Sequence, residues 1–165
     1  MVPPLVVLAV LLFLDQAIKV WVRLDVPLHS VTGVIPNFID LTRVENPGIS
    51  FSMLGDLGAN VRVPLLVGVS LVAVLLIARY WWRQRRHLPR VADGAFVLIL
   101  AGAVGNLIDR ALFGTVTDYL HFRFFAYSFF VNNLADIYIS IGVVVYLLAM
   151  LLYGRRRSAS PRDAA

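Results

Sequence analysis

The chain has 165 residues, of which 59% are hydrophobic and only 15% are charged, and its mean hydropathy is +0.79. This small share of polar side chains cannot cover the surface of a water-soluble globule of this size. The composition therefore excludes a soluble single domain. Because the chain has no cysteine, disulfides, thiolate nucleophiles and cysteine metal sites are excluded too. A bilayer core about 30 Å thick takes about 20 apolar residues per helix, which leaves room for four crossings.

Four apolar windows have the length that a bilayer demands: residues 3–22, 61–80, 91–110 and 134–153. The first could be a cleaved signal peptide, but residues 1–4 carry no basic side chain and no small-x-small cleavage site follows Leu14. We therefore expect a retained helix. The windows predict a mainly α membrane protein with one integral domain over residues 1–154 and a disordered basic tail over residues 155–165.

The basic residues indicate how the chain is oriented. Nine of the fifteen lie in the loop after the second window and in the tail: Arg79, Arg83, Arg85, Arg86, Arg90, Arg155, Arg156, Arg157 and Arg162. By the positive-inside rule both stretches are cytoplasmic, and so are both termini. This distribution makes the net charge of +5 a signature of membrane topology, and we expect no nucleic-acid partner. Eight of the ten acidic residues fall at or beyond the outer half of the membrane, which hints at chemistry on that side.

Two connections lie on the predicted outer side. Residues 24–60 have glycines and prolines around a strand-like alternation at 34–44, which predicts a small extracytoplasmic β cradle. Residues 111–132 hold eight of the 19 aromatic residues. We interpret this second connection as an interfacial segment, because aromatic rings favour the headgroup zone.

Polar residues inside the windows are candidates for function, since a carboxylate in the hydrocarbon costs at least about 2.5 kcal/mol. Asp15 lies one helical turn before Lys19, so the two either neutralise each other or organise a pocket in the outer leaflet. Asn106, Asp109 and Arg110 share one helix face. Contacts of Arg110 with Asp109 or Asn106 could make this cluster structural glue, and a functional role stays open.

Two more acids are predicted at the outer boundary. Asp118 either faces water from a loop or contributes to a site. Asn133 and Asp136 have the spacing of a helix capping box, which needs no function. Two carboxylates that share a proton have their pKa values split, however, so one can deprotonate a water while the other protonates the leaving group. The spacing of Asp118 and Asp136 does not by itself show that they meet.

Other hydrolytic arrangements fit less well. The three histidines, His29, His87 and His121, are isolated and lack the spacing of zinc ligands, so we interpret them as solvated loop residues. Ser50 and Ser52 have no identifiable base, and a Ser–Lys pair with Lys19 is a remote alternative. We expect neither a metal nor another cofactor.

Five motifs follow one another in a characteristic order: Asp15-Gln16-x-x-Lys19, Asn46-Pro47-Gly48-Ile49-Ser50-Phe51-Ser52, Gly102 to Arg110, Val116-Thr117-Asp118-Tyr119 and Asn133-Leu134-Ala135-Asp136. Their order and spacing, over about residues 10–145, resemble bacterial lipoprotein signal peptidase (signal peptidase II). The resemblance implies an aspartic peptidase of the bacterial plasma (inner) membrane. Such an enzyme removes the signal peptide of prolipoproteins just before a cysteine that carries diacylglycerol.

The resemblance also implies roles for individual residues. Asp118 and Asp136 would be the catalytic pair, and six others would bind substrate or support the pair: Asp15, Asn46, Asn106, Asp109, Arg110 and Asn133. Three positions depart from the family pattern: Ser50, Thr117 and Asn132. None of the three is a proposed catalytic acid. We expect a monomer that contacts membrane lipids and prolipoproteins.

Two other classes of protein compete with this interpretation. A small four-helix proton-coupled multidrug exporter would exchange protons at Asp15, but it would leave the long outer segment and the outer acids poorly explained. A non-catalytic assembly factor would use its acids as interhelical glue. In that case Asp→Asn changes would reduce stability by degrees rather than abolish turnover.

Overall fold

The structure is a computed structural model that describes residues 3–48 and 58–158. Within this part of the chain, four helices are long and apolar enough to cross a membrane. They are α1 (Pro4–Asp25), α2 (Ala59–Gln84), α3 (Arg90–Phe113) and α4 (Leu134–Ser158). Four strands complete the fold: β1 (Val31–Ile35), β2 (Ile39–Asn46), β3 (Val116–Phe124) and β4 (Tyr127–Asn132). The predicted fold class, four membrane-length helices with a small sheet, is confirmed.

The helices extend beyond the predicted windows because polar residues near helix ends still satisfy helical hydrogen bonding. Helix α4 continues through Arg155–Arg157, which the sequence prediction assigned to a disordered tail. Helix α3 begins just after Pro89, has Asp93 in its first turn and ends at Gly114, whose φ of 73° is left-handed. A proline start, an early acid and a glycine stop are the ordinary signals of helix boundaries.

The four strands form one antiparallel sheet in the order β1-β2-β3-β4. The first hairpin comes from the outer segment in which a β cradle was predicted. The second comes from residues 111–132, for which the sequence analysis predicted an interfacial position but no strands. Aromatic residues fill strands as readily as interfaces, and in β3 the residues Val116–Tyr119 are all buried. No alternation was therefore visible in the sequence there.

Helix α3 is the centre of the bundle. Ten of its 24 residues are buried, against three in α1 and one in α2. Small residues allow its close approach to α4, since a side chain on Gly102 would collide with the Ala135 carbonyl oxygen. A side chain on Gly142 of α4 would likewise come within 2.8 Å of the Ala95 carbonyl oxygen. Such contacts hold helices together in lipid, where apolar surface alone gives no drive to associate.

We predict that Gly102→Ala lowers the free energy of unfolding by about 1–3 kcal/mol, because the added methyl group overpacks the α3–α4 contact. Gly68→Ala in α2 is the matched control, since nothing lies within 4 Å of its added methyl group. Replacing a helical glycine there should leave stability unchanged or raise it by up to about 1 kcal/mol. Unfolding of both variants in detergent measures the difference, and equal stability would contradict the packing argument.

Candidate active site

Asp118 lies in β3 with 3% of its surface exposed. The Asn46 side-chain nitrogen donates a hydrogen bond to Asp118 Oδ2 at 2.9 Å. The Asn46 side-chain oxygen accepts a hydrogen bond from the Gly48 backbone N–H at 2.9 Å. Since that oxygen is occupied, only the amide N–H can face the carboxylate. The turn after β2 therefore sets which atom of Asn46 meets Asp118.

Asn133 contacts both predicted acids. Its side-chain nitrogen donates to Asp118 Oδ1 at 2.6 Å, and its side-chain oxygen accepts from the Asp136 backbone N–H at 3.0 Å. Asp136 Oδ2 in turn accepts from the Asn133 backbone N–H at 3.4 Å. These reciprocal bonds form the capping box that the sequence predicted. The cap also orients Asn133 toward Asp118, so the structural interpretation and a role in the site are compatible.

Asn106 of α3 is oriented in the same way. Its side-chain oxygen accepts from Lys19 Nζ at 3.0 Å, and its nitrogen donates to Asp136 Oδ1 at 2.8 Å. An ammonium group can only donate, so it holds the amide oxygen toward itself and turns the amide N–H to the carboxylate. The three predicted asparagines thus reach the two predicted acids.

The electrostatics of Asp118 differ from those of an ordinary aspartate. Burial raises the pKa of Asp118 to about 6, and the nearby negative charge of Asp136 acts in the same direction. The hydrogen bonds from Asn46 and Asn133 stabilise the charged form and oppose this rise. Asp118 therefore keeps its proton at a pH where an exposed aspartate has lost it.

Arg110 interacts electrostatically with the acids of the site. The negative charges of Asp136, Asp118 and Asp109 all attract its guanidinium group. Its buried Nε has no hydrogen-bond partner among the described residues. Gly48 (φ 94°) packs against it, and a side chain added there would lie 3.3 Å from Nε. The backbone after β2 can approach Arg110 because glycine is the residue at this position.

Behind the carboxylates lies a cluster of buried charges between α1 and α3. Lys19 is fully buried, and its Nζ lies 3.0 Å from Asp15 Oδ2 and 3.2 Å from Asp109 Oδ2. Arg23 Nη2 lies 2.9 Å from Asp109 Oδ1. The predicted pair of Asp15 and Lys19 is present. Asp109 contacts α1 and also accepts a hydrogen bond from the Thr117 backbone N–H at 3.2 Å. Among the described residues it forms no ion pair with Arg110, which was one of the alternatives left open by the sequence.

Asp15 also connects α1 to α4, because its Oδ1 accepts a hydrogen bond from the Ala135 backbone N–H at 3.0 Å. Gly105 provides the space for this carboxylate, since a side chain there would lie 2.5 Å from Asp15 Oδ2. Asp15 is fully buried and bonded on both oxygens. This environment fits an organising acid better than the exchanging acid of an exporter.

A family model described as signal peptidase (SPase) II matches residues 7–152 of this chain. The chain belongs to the signal peptidase II family. Membership confirms the resemblance identified from the motifs, and with it the class of aspartic-type peptidase.

Relatives of this signal peptidase II cover nearly the whole chain. A lipoprotein signal peptidase of Allorhizobium ampelinum is 41% identical over 155 residues, which are 94% of this chain and 91% of the relative. One from Syntrophotalea carbinolica is 36% identical over 94% of each chain. A solved bacterial membrane enzyme, determined by the in meso method at 1.9 Å resolution, has a TM-score of 0.79 at 25% identity, covering 90% of this chain and 92% of its own. These matches make the protein a multi-pass bacterial membrane protein.

Sequence reasoning missed a polar network beside the site. Thr117 is fully buried, and its hydroxyl accepts from Arg23 Nε at 2.8 Å and donates to Glu45 Oε2 at 3.1 Å. Thr115 donates to the same Glu45 oxygen at 3.0 Å. The network ties the end of β2, next to Asn46, to the strand that carries Asp118. The departure of Thr117 from the family pattern was the one signal available in the sequence.

Some predicted residues lie elsewhere. His121 is in β3 and not in a loop, with Nδ1 3.4 Å from Asp40 Oδ2 and Nε2 2.7 Å from Ser128 Oγ. The interpretation of His121 as a solvated loop residue was therefore wrong, and its contacts join β2, β3 and β4. Ser50, Ser52 and the rest of their motif after Gly48 lie outside the described residues.

We predict that Lys19→Met lowers the free energy of unfolding by about 3–5 kcal/mol, because it leaves buried Asp15 without its cation and Asp109 with Arg23 alone. The double variant Lys19→Met/Asp15→Asn should recover part of the loss, since it also removes the uncompensated charge. Denaturant unfolding in detergent tests both. A single variant as stable as the parent protein would refute the role of Lys19 as the central counter-ion.

Proposed function

We propose that this signal peptidase II cleaves the signal peptide of prolipoproteins on the N-terminal side of a diacylglyceryl-modified cysteine, with Asp118 and Asp136 as its catalytic dyad. The observation that carries the proposal is the bridging position of Asn133. Its side chain donates to Asp118 while its oxygen and backbone N–H bond to Asp136. Two acids that lie 18 positions apart in the chain thus share one asparagine.

The protons can be followed through the reaction. A water molecule between the two carboxyl groups gives a proton to Asp136, and the oxygen of this water attacks the scissile carbonyl carbon. Asp118 donates its own proton to the carbonyl oxygen. The C–N bond of the resulting diol then breaks. The leaving nitrogen takes the proton from Asp136, and the diol hydroxyl returns one to Asp118. The raised pKa of Asp118 supports its role as the initial acid.

The remaining predicted residues hold the substrate or the dyad. Arg110 has a buried N–H free among the described residues, so we assign it a substrate carbonyl as partner. Asn46, Asn106 and Asn133 orient the carboxylates through their amide N–H groups. Asp15 and Asp109 act from a distance, by fixing Lys19 and through it Asn106.

The orientation in the membrane is part of the proposal. Arginines 79, 83, 85, 86 and 90 lie around the α2–α3 connection and Arg155–Arg157 lie at the end of α4, which favours both on the cytoplasmic side. The sheet and the dyad are then at the outer face, where lipidated precursors are exposed. We propose a monomer that takes its substrate from the surrounding lipid.

We predict that Asp118→Asn and Asp136→Asn each abolish cleavage of a diacylglyceryl-modified precursor, because neither amide can exchange the required proton. Purified variants in detergent are incubated with the modified precursor, with the unmodified precursor as control for substrate choice. Monodisperse, folded protein distinguishes lost chemistry from lost structure. Full turnover by either variant would refute the dyad, and a graded loss of stability with retained turnover would favour the assembly-factor alternative.

We also predict the effect of removing the hydrogen bond from Asn46. Asn46→Leu removes a donor that stabilises the charged form of Asp118, so the pKa of Asp118 should rise further from its value of about 6. Because the proposed reaction needs the protonated acid, kcat/KM of the parent should fall as pH rises through about 6. In Asn46→Leu this fall should move to higher pH. An unchanged midpoint, or one moved to lower pH, would contradict the assignment of Asp118 as the acid.

A further inference from the structure

A surface groove runs between α1, α2 and α3, at the end of the bundle opposite the dyad. Its volume is about 570 Å³. Apolar side chains line most of its length: Leu5, Leu8, Val74, Ala78, Leu100 and Val104. Arg79 and Arg83, one helical turn apart near the end of α2, line it as well. We call this feature the basic groove.

The two arginines also line a second hollow of about 240 Å³, together with Leu76, Tyr80 and Gln84. Polar groups are thus concentrated on one flank of the arginines, while the basic groove on the other flank is apolar. A molecule that occupies both must carry a long apolar part, a negative group between the guanidinium groups and a polar remainder. These are the parts of an anionic phospholipid.

Within residues 3–48 and 58–158, the charge of these arginines is not neutralised by an ion pair. Among the described residues no carboxylate lies within 4.0 Å of the guanidinium of Arg79 or Arg83. Asp93 is the one acid between residues 79 and 93, and its Oδ1 accepts the indole N–H of Trp81 at 2.6 Å. The groove therefore presents two exposed cations that are available to an external anion.

The surroundings place the arginines at headgroup depth. Trp82 lines the basic groove and has 61% of its surface exposed, and the Arg85 guanidinium lies 4.6 Å from its ring centroid. Exposed tryptophan beside basic residues is typical of the boundary between hydrocarbon and headgroups. One basic residue near such a boundary raises the affinity for anionic lipid about fivefold.

We infer that the basic groove binds an anionic phospholipid, with an acyl chain along the apolar side chains and the phosphate between Arg79 and Arg83. The competing occupant is the signal peptide itself. Its positively charged n-region would be repelled by the same two arginines, so charge complementarity favours the lipid. The inference concerns a site remote from the dyad and does not depend on how cleavage proceeds.

Fluorescence quenching tests the inference on the full chain. Trp21→Phe leaves Trp81 and Trp82 as reporters, since the chain has three tryptophans. The protein is reconstituted in phosphatidylcholine vesicles that contain a small fraction of brominated phosphatidylglycerol or, in parallel, brominated phosphatidylcholine. We expect brominated phosphatidylglycerol to bind beside the reporters about 25-fold more strongly, since two basic residues contribute about fivefold each.

The variant Arg79→Gln/Arg83→Gln should bind the two lipids about equally, whereas Arg86→Gln should keep the preference for phosphatidylglycerol. Arg86 is exposed and lines neither hollow, so this control removes charge without touching the groove. Equal quenching by the two lipids in the parent would overturn the inference. An equal loss in Arg86→Gln would also overturn it, because the attraction would then be diffuse. Displacement by glycerol phosphate alone would show a phosphate site without a lipid and would equally refute it.

Discussion

Three oriented amide groups control the geometry of this membrane peptidase. Asn46, Asn106 and Asn133 each have a side-chain oxygen that is already engaged by a donor, so each can offer only N–H to Asp118 or Asp136. Carboxylates that are buried at a membrane boundary need such donors, since an unsatisfied charge there is costly. The bonds that satisfy the two acids therefore also fix their positions. Protein stability and site geometry depend on the same contacts.

The orientation of these amides originates in ordinary structural features. A turn after β2 sets Asn46, a helix cap sets Asn133 and a buried ammonium group sets Asn106. Each feature would be unremarkable in a protein without a catalytic site. The residues that form these features come from four separate regions of the chain. The close packing of α3 on α1 and α4 through small residues brings those regions into contact.

Charge is organised differently at the two ends of the bundle. Near the dyad, Lys19 and Arg23 are paired with Asp15 and Asp109 inside the protein. At the opposite end, arginines of α2 face outward, and the part of the chain that the structure describes has no ion pair for them. Buried charges must be neutralised by partners within the fold, whereas surface arginines at headgroup depth can be neutralised by lipid. The two ends thus interact with different environments.

The sequence by itself determined the four helices, because about 20 consecutive apolar residues have few alternatives to crossing a bilayer. It also predicted the pair of Asp15 and Lys19 and the cap formed by Asn133 and Asp136, since both depend on spacing within one helix or at its end. The second hairpin could not be predicted, because β3 is buried at Val116–Tyr119 and shows no alternation.

The contacts across the bundle were equally hidden from the sequence. That Asp109 pairs with α1, that Thr117 meets Glu45, and that Asn133 touches both acids depend on how distant segments pack. Spacing along the chain reports only local geometry. Tertiary structure decided these partners because a buried polar group takes whichever donor or acceptor the packing brings within reach.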